Sequence, residues 1–182
     1  MKVLKYALLL TLSTYLLGCA SGAKMENMVF QGEQKQYSVE LQNNLAVGEV
    51  SGGKKTNPAW TSEIDNESFS DAVISSLQSQ GLYSDDGKYR LQVKMLQVEQ
   101  PLFGLNLEVT THVRYILINK TNEKIVFDDT VVSPHTAGFD DAFAAIKRLR
   151  LANEGSAMKN IEGLLEKLSQ LNIGSQQISL EK

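Results

Sequence analysis

Several groups of residues in this chain have the types and the spacing to do chemistry. Cys19 is the only cysteine, which leaves its thiol free for acylation and rules out a disulfide within the chain. His112 shares a strand face with Glu108 and Arg114, charged neighbours able to tune a titrating imidazole, though a surface or cross-strand pairing role is the expected one. Asp128 and Asp129, together with Asp140 and Asp141, bring four carboxylates near the end of a strand and the start of a helix. The dipole at a helix N-terminus already explains Asp140 and Asp141 structurally, with calcium ligation or a glycosidase-type pair as the minor alternative. Arg148, Arg150, Asn153 and Glu154 put charge and amide groups in mid-helix beside Gly155.

The mid-helix group admits two arrangements. Arg150 and Glu154 stand four apart, so an exposed face would carry one ion pair worth a few tenths of a kcal/mol. The other arrangement is a buried polar network joining the helix to the loops at 57–60 and 101–104, which would fix the fold or build a partner surface. Trp60, the sole Trp, with Leu102 and Phe103, either fills the core or forms an exposed apolar contact patch. The candidate partner surface is therefore Trp60, Leu102, Phe103, Arg148, Arg150, Asn153 and Glu154.

Catalytic signatures are missing from the sequence. His112 has no cysteine or third ligand at metal-site spacing, and His135, following Pro134, reads as a loop residue at a strand exit. There is no Gly-x-Ser-x-Gly elbow and no phosphate-cradling glycine loop. We expect no catalytic residue, no metal and no cofactor. An envelope enzyme, for instance a transferase on an acylated or sugar substrate, stays open as an alternative without a nucleophile and base to carry it. A carrier of an apolar ligand is the third reading.

The elements that position these groups begin with the N-terminal segment. Lys2 and Lys5 form a basic start, Tyr6 to Leu17 is apolar apart from Thr11, Ser13 and Thr14, and small residues follow at Gly18, Cys19, Ala20 and Ser21. Residues 1–18 thus read as a signal peptide. The apolar run is about half to two-thirds of the ~20 residues that a membrane span needs. Leu16-Leu17-Gly18-Cys19 resembles the lipobox of bacterial lipoprotein precursors. The resemblance implies cleavage between Gly18 and Cys19, a diacylglycerol thioether on the Cys19 sulfur, and an acyl chain such as palmitate on the new amino group. Two or three chains, at ~0.8 kcal/mol per buried CH2, hold a protein at a bilayer where one chain binds reversibly. Ala20 and Ser21, with no Asp after the cysteine, resemble the pattern sorted to the outer membrane of a Gram-negative cell, lipid-anchored and facing the periplasm. Ordinary cleavage near Ala20 to Ala23 would instead release a soluble chain.

Removing residues 1–18 leaves 164 of 182, a size for one domain. Loss of Lys2 and Lys5 leaves 16 basic against 21 acidic side chains, moving the formal charge from -3 to -5. Such a balance offers no electrostatic footprint for nucleic acid and no basic patch for anionic lipid headgroups. Residues 19–36 read as the lipidated cysteine and a flexible tether, whose r.m.s. reach would be roughly 22 Å. Docking of Met25, Met28, Val29 and Phe30 as an amphipathic turn is the alternative. A single α+β domain is expected over 37–174 and a polar tail over 175–182.

Within the domain, Tyr37 to Val50 suggests one or two short strands before Gly52-Gly53. Asp65 and Asn66 offer caps for a helix over 67–80, whose apolar stripe runs through Phe69, Ala72, Val73, Ser76 and Leu77 and which stops at Gly81. Three alternating segments follow. In the first, the apolar phase slips after Met95, which predicts a bulge. The second runs from Leu105 to Ile118, and the third follows a Thr121-Asn122 turn. A long helix, capped by Asp140 and running about Asp141 to Leu171, either breaks at Gly155 or passes close to another backbone there. The expected fold is α+β, an antiparallel sheet of about four strands with two helices on one face, in the order β-α-β-β-β-α.

This layout resembles that of small bacterial envelope lipoproteins, including the YajG-type lipoproteins and the auxiliary lipoproteins of ABC-type lipid transport systems. The runs Asn57-Pro58-Ala59-Trp60, Pro101-Leu102-Phe103-Gly104 and Arg148 to Gly155 are similar to runs in lipoproteins of uncharacterised function. The resemblance implies a non-enzymatic accessory or binding module, held at the membrane by its lipid and engaging an envelope protein or a lipid partner.

Overall fold

The computed structural model describes residues 20–58 and 61–173. The expected signal peptide, Cys19, Trp60 and the polar tail lie outside the described residues. Four strands form one sheet in the order β1-β2-β3-β4. They are β1 (Leu45–Ser51), β2 (Tyr89–Glu99), β3 (Leu107–Asn119) and β4 (Lys124–Ala137). Helix α1 (Met25–Met28) precedes the sheet, α2 (Asn66–Ser79) joins β1 to β2, and α3 (Ala145–Ser169) closes the chain. The α+β class and the element order from β1 onward are as expected.

One pairing differs from the expected antiparallel sheet, since β1 runs parallel to β2. A strand-helix-strand crossover returns the chain to the end it left, which makes the two strands parallel, whereas the short connections of β2–β3 and β3–β4 make those pairs antiparallel. Leu96 is the extra residue where the β2–β3 register shifts between Met95 and Gln97, the expected bulge. The residues expected as an earlier strand form instead a 3-10 turn, Val39–Leu41, ahead of β1.

Alternation on β3 buries Leu107, Val109, Thr111, Val113, Tyr115 and Leu117 on one face and leaves the other wet. Helices α2 and α3 cover the buried face, so Phe69, Val73 and Leu77 join Leu91, Val93, Tyr115, Ile161 and Leu164 in one core. Asp65 caps α2 by accepting from the Ser68 backbone N–H at 2.8 Å. At the other end Gly81 takes φ +68, and the Leu82 N–H reaches the Leu77 carbonyl at 2.9 Å.

Three expectations are corrected by packing. The segment read as a tether is docked: Ala20, Ala23, Met28 and Phe30 are buried, and the Phe30 N–H donates to Ser76 Oγ at 3.0 Å. Helix α3 starts at Ala145, past the expected Asp140 cap, and its N-cap position is Ala144, which has no side-chain acceptor; Asp141 Oδ2 instead accepts the Gly138 N–H at 2.7 Å. Strand β4 continues through Pro134 and His135, placing His135 in the sheet, on an edge strand where proline is tolerated.

Gly155 neither breaks α3 nor meets a backbone. A Cβ there would fall 2.1 Å from His135 Cδ2, and one at Gly163 would fall 2.6 Å from Val131 Cγ1. The helix therefore lies too close to β4 for side chains at those turns. In the gap, Ser156 Oγ accepts the Thr111 N–H at 3.0 Å and donates to the Ser133 carbonyl at 2.7 Å. Asn160 Nδ2 donates to the carbonyls of Thr111 and Val131 at 3.1 and 2.9 Å, and its Oδ1 accepts the Tyr115 hydroxyl at 2.8 Å. Burial raises the pKa of that hydroxyl, keeping it a donor.

Candidate functional site

The polar residues of the first half of α3 converge with two loops and the start of the described chain at one end of the domain. Arg148, 4% exposed, reaches out from the first turn of the helix. Its Nη1 donates to the carbonyls of Ala142 and Phe143 at 2.8 and 2.7 Å, and its Nη2 to Gly104 at 3.3 Å. The guanidinium carbon stands 5.5 Å from the Phe139 ring centre, and Phe139 meets Phe143 edge to face at 5.6 Å. One buried cation thus ties the β2–β3 loop to the β4–α3 loop, which its planar fork of donors suits.

One turn further on, Asn153 is fully buried. Its Nδ2 donates to the Ser62 carbonyl at 2.8 Å, and its Oδ1 accepts from Gln100 Nε2 at 2.9 Å. Ser62 Oγ in turn donates to the Ser21 carbonyl at 2.8 Å. Beside it, Glu154 Oε1 accepts the Lys24 N–H and Oε2 accepts Asn27 Nδ2, both at 2.9 Å. Arg150 Nη1 donates to Ser21 Oγ at 2.7 Å, and Arg150 Nε lies 3.4 Å from Glu154 Oε1. The Ala20 N–H closes the set on the Pro58 carbonyl at 2.9 Å. These bonds are the physical reason that residues 20–28 dock rather than hang free.

The expected partner surface divides on this geometry. Arg148, Asn153 and Glu154 are buried and so are excluded from any contact face, and Arg150 keeps 18% of its side chain exposed. Leu102 and Phe103 are exposed, at 96% and 88%. The solvated helix face is corrected: Arg148, Asn153 and Glu154 form a buried network, with Arg150 at its partly exposed edge, and it reaches Gly104 as well as Ser62 and Gln100. Sequence reasoning missed Ser21, Ser62 and Gln100, whose roles depend on groups far away in the chain. It also missed Leu105, Phe139 and Phe143 as exposed apolar side chains, although Phe139 and Phe143 beside Asp140 and Asp141 were a readable signal.

The titratable candidates disperse. His112 Nε2 lies 3.2 Å from Glu99 Oε1 across the strand pair. Of the neighbours expected to tune it, Arg114 holds Asp128 through two bonds of 2.7 and 2.6 Å and Glu108 accepts from Thr136. That pairing lowers the Asp128 pKa, and hydrogen bonding by Lys167 lowers that of Asp129. With Asp141 bound to Gly138, the four carboxylates do not face one another. Among the described residues no group of three or more His, Cys, Asp or Glu is placed to hold a metal ion. Two surface grooves, of about 570 and 520 Å³, are lined by polar residues such as Thr56 and Asn66 in one and Gln34 and Gln80 in the other. No helix among the described residues is long and apolar enough to cross a membrane.

No protein-family model matches the chain, and no curated protein matches it. Solved structures do. The chain is similar in fold to protein XCC0632 from Xanthomonas campestris, of family DUF330, with 13% identity, 89% of this chain and 98% of that chain covered, and a TM-score of 0.59. It is also similar to the PelC dodecamer from Paraburkholderia phytofirmans, with 14% identity, 75% and 94% coverage and a TM-score of 0.50. A minor lipoprotein from Acinetobacter baumannii overlaps less well, with 9% identity, 70% and 93% coverage and a TM-score of 0.48. Identities this low show a shared fold alone. The finer likeness to YajG-type and ABC-transport auxiliary lipoproteins rests on sequence layout.

Proposed function

We propose that this chain is a lipid-anchored lipoprotein of the bacterial envelope, a non-enzymatic accessory module whose Cys19 carries the anchor and whose folded domain presents a contact surface at the outer membrane. The observation that carries the reading is the treatment of the residue next to that cysteine. Ala20 is buried and its N–H is bonded to the Pro58 carbonyl, so the domain's packing reaches the residue next to Cys19. A loose leader remnant would have no reason to be held this way. The core between sheet and helices is filled by Met28, Phe69, Tyr115 and Leu164, which leaves the apolar-carrier reading without support from a cavity there.

The test is replacement of the sulfur. Cys19→Ser should abolish incorporation of labelled palmitate and leave an unprocessed, larger precursor on gels, while the wild-type chain fractionates with the outer membrane on a density gradient. Equal labelling and equal processing of the two chains would overturn the anchor.

A further inference from the structure

Nine large hydrophobic side chains are exposed among the described residues, and five of them, Leu102, Phe103, Leu105, Phe139 and Phe143, stand in the two loops that Arg148 ties together. Exposures of 96%, 88%, 73% and 85% for Leu102, Phe103, Leu105 and Phe143 are unfavourable in water for four bulky side chains grouped at one end. The same end receives the start of the described chain. Gln100, which precedes this loop, donates to the Ser62 carbonyl at 3.0 Å, and Ser62 Oγ holds the Ser21 carbonyl at 2.8 Å. From Gln100 to Phe103 is three residues, at most about 11 Å of chain.

We propose that this end of the domain lies against the lipid bilayer, with Leu102, Phe103, Leu105 and Phe143 seated at headgroup depth around the anchor. The proposal rests on the reading of Cys19 given above. Its physical core is the absence of slack. A free tether over residues 19–36 would have let the domain wander by roughly 22 Å, but residues 20–30 are spent on packing against α2 and α3. An acylated residue directly before Ala20 therefore draws the neighbouring loops down with it, and the side chains that meet the interface are the apolar ones. Aromatic and leucine side chains suit that depth, and the exposed Asp140 in the same loop keeps the contact among headgroups rather than in the hydrocarbon.

The experiment uses the full lipidated chain in phosphatidylethanolamine–phosphatidylglycerol vesicles, with a nitroxide on Phe103→Cys or on Asn122→Cys; the Cys19 thioether does not react with the label. Asn122 is in the turn at the opposite end of β3, whose 13 residues span roughly 40 Å. Power saturation should give a ratio of oxygen access to water-soluble nickel-chelate access that is several-fold higher for the label at 103 than for the label at 122. A Phe103→Asp change should raise chelate access at a label on Phe143→Cys. If membrane-bound protein shows equal chelate access at 103 and 122, the bilayer contact is overturned while the anchor stands. Shielding at 103 with spin–spin broadening and no gain in oxygen access would instead place a second copy on this face, which also overturns it. A chain that takes label at Cys19 and stays off the vesicles refutes the anchor itself.

Discussion

Helix α3 carries two polar seams that differ in what they hold. The seam of Ser156 and Asn160 lies between helix and sheet, where its partners are strand carbonyls and the Tyr115 hydroxyl. The seam of Arg148, Arg150, Asn153 and Glu154 lies at the end of the helix nearer its N-terminus, and its partners are loops and the segment that starts at Ala20. Both are buried and both are made of hydrogen bonds, yet only the first is closed off on every side by the core. A failed bond in the core seam has no water to turn to, whereas a failed bond in the other lets a peripheral segment lift and rehydrate. The difference is between polar groups that hold the fold and polar groups that place a surface.

The largest expected effect breaks the core seam. Asn160→Ala removes bonds to two carbonyls and to Tyr115 and leaves those groups buried and unpaired, costing about 3 kcal/mol of global stability. Urea unfolding should show the midpoint falling with the slope unchanged. A loss below about 0.5 kcal/mol would mean that the seam is not closed.

Glu154→Ala tests the opposite member of the comparison. It frees the Lys24 N–H and Asn27 Nδ2, so residues 23–30 should exchange amide hydrogens at least ten-fold faster while the global unfolding free energy falls by about 1 kcal/mol or less. Were the whole domain to lose protection together, the two seams would be one cooperative unit and the distinction would fail.

How much of this was readable in the sequence follows the same division. Alternation in β2 and β3, the Phe69 to Leu77 stripe, Gly81 and the slip at Met95 are local signals, and each specifies its element within a few residues. The docked segment has no such signal. Ala20, Ala23, Met28 and Phe30 follow no sustained period, and their burial depends on Glu154 and Ser76, 130 and 46 residues away from their partners. Gly155 marks an unusual position but not its cause, because the His135 ring over it comes from β4, which runs on past Pro134. The parallel pairing of β1 follows from the crossover helix, because a connection of that length outweighs the alternation that strands of either sense share. Of the candidate contact residues, polarity in mid-helix was the visible feature, and burial, set by loops far along the chain, decided what it was for.

The smallest expected effect lies where the two seams meet, at the His135 ring over Gly155. Burial holds the imidazole pKa below its ordinary value, nearby Lys159 lowers it further, and Asp141 opposes both. The folded chain therefore resists protonation that the unfolded chain accepts. Stability from this residue is present above the ordinary histidine range, about pH 6.5, and is lost as pH falls through the lower folded value. Between pH 7.5 and 5 the wild-type urea midpoint should drop further than that of His135→Asn, with His112 and the carboxylates common to both chains and cancelling in the difference. Because the ring is only partly buried the difference should be small, and parallel pH profiles would show that β4 and the helix leave the imidazole enough water to charge freely, which would relocate the close contact at Gly155 from electrostatics to shape alone.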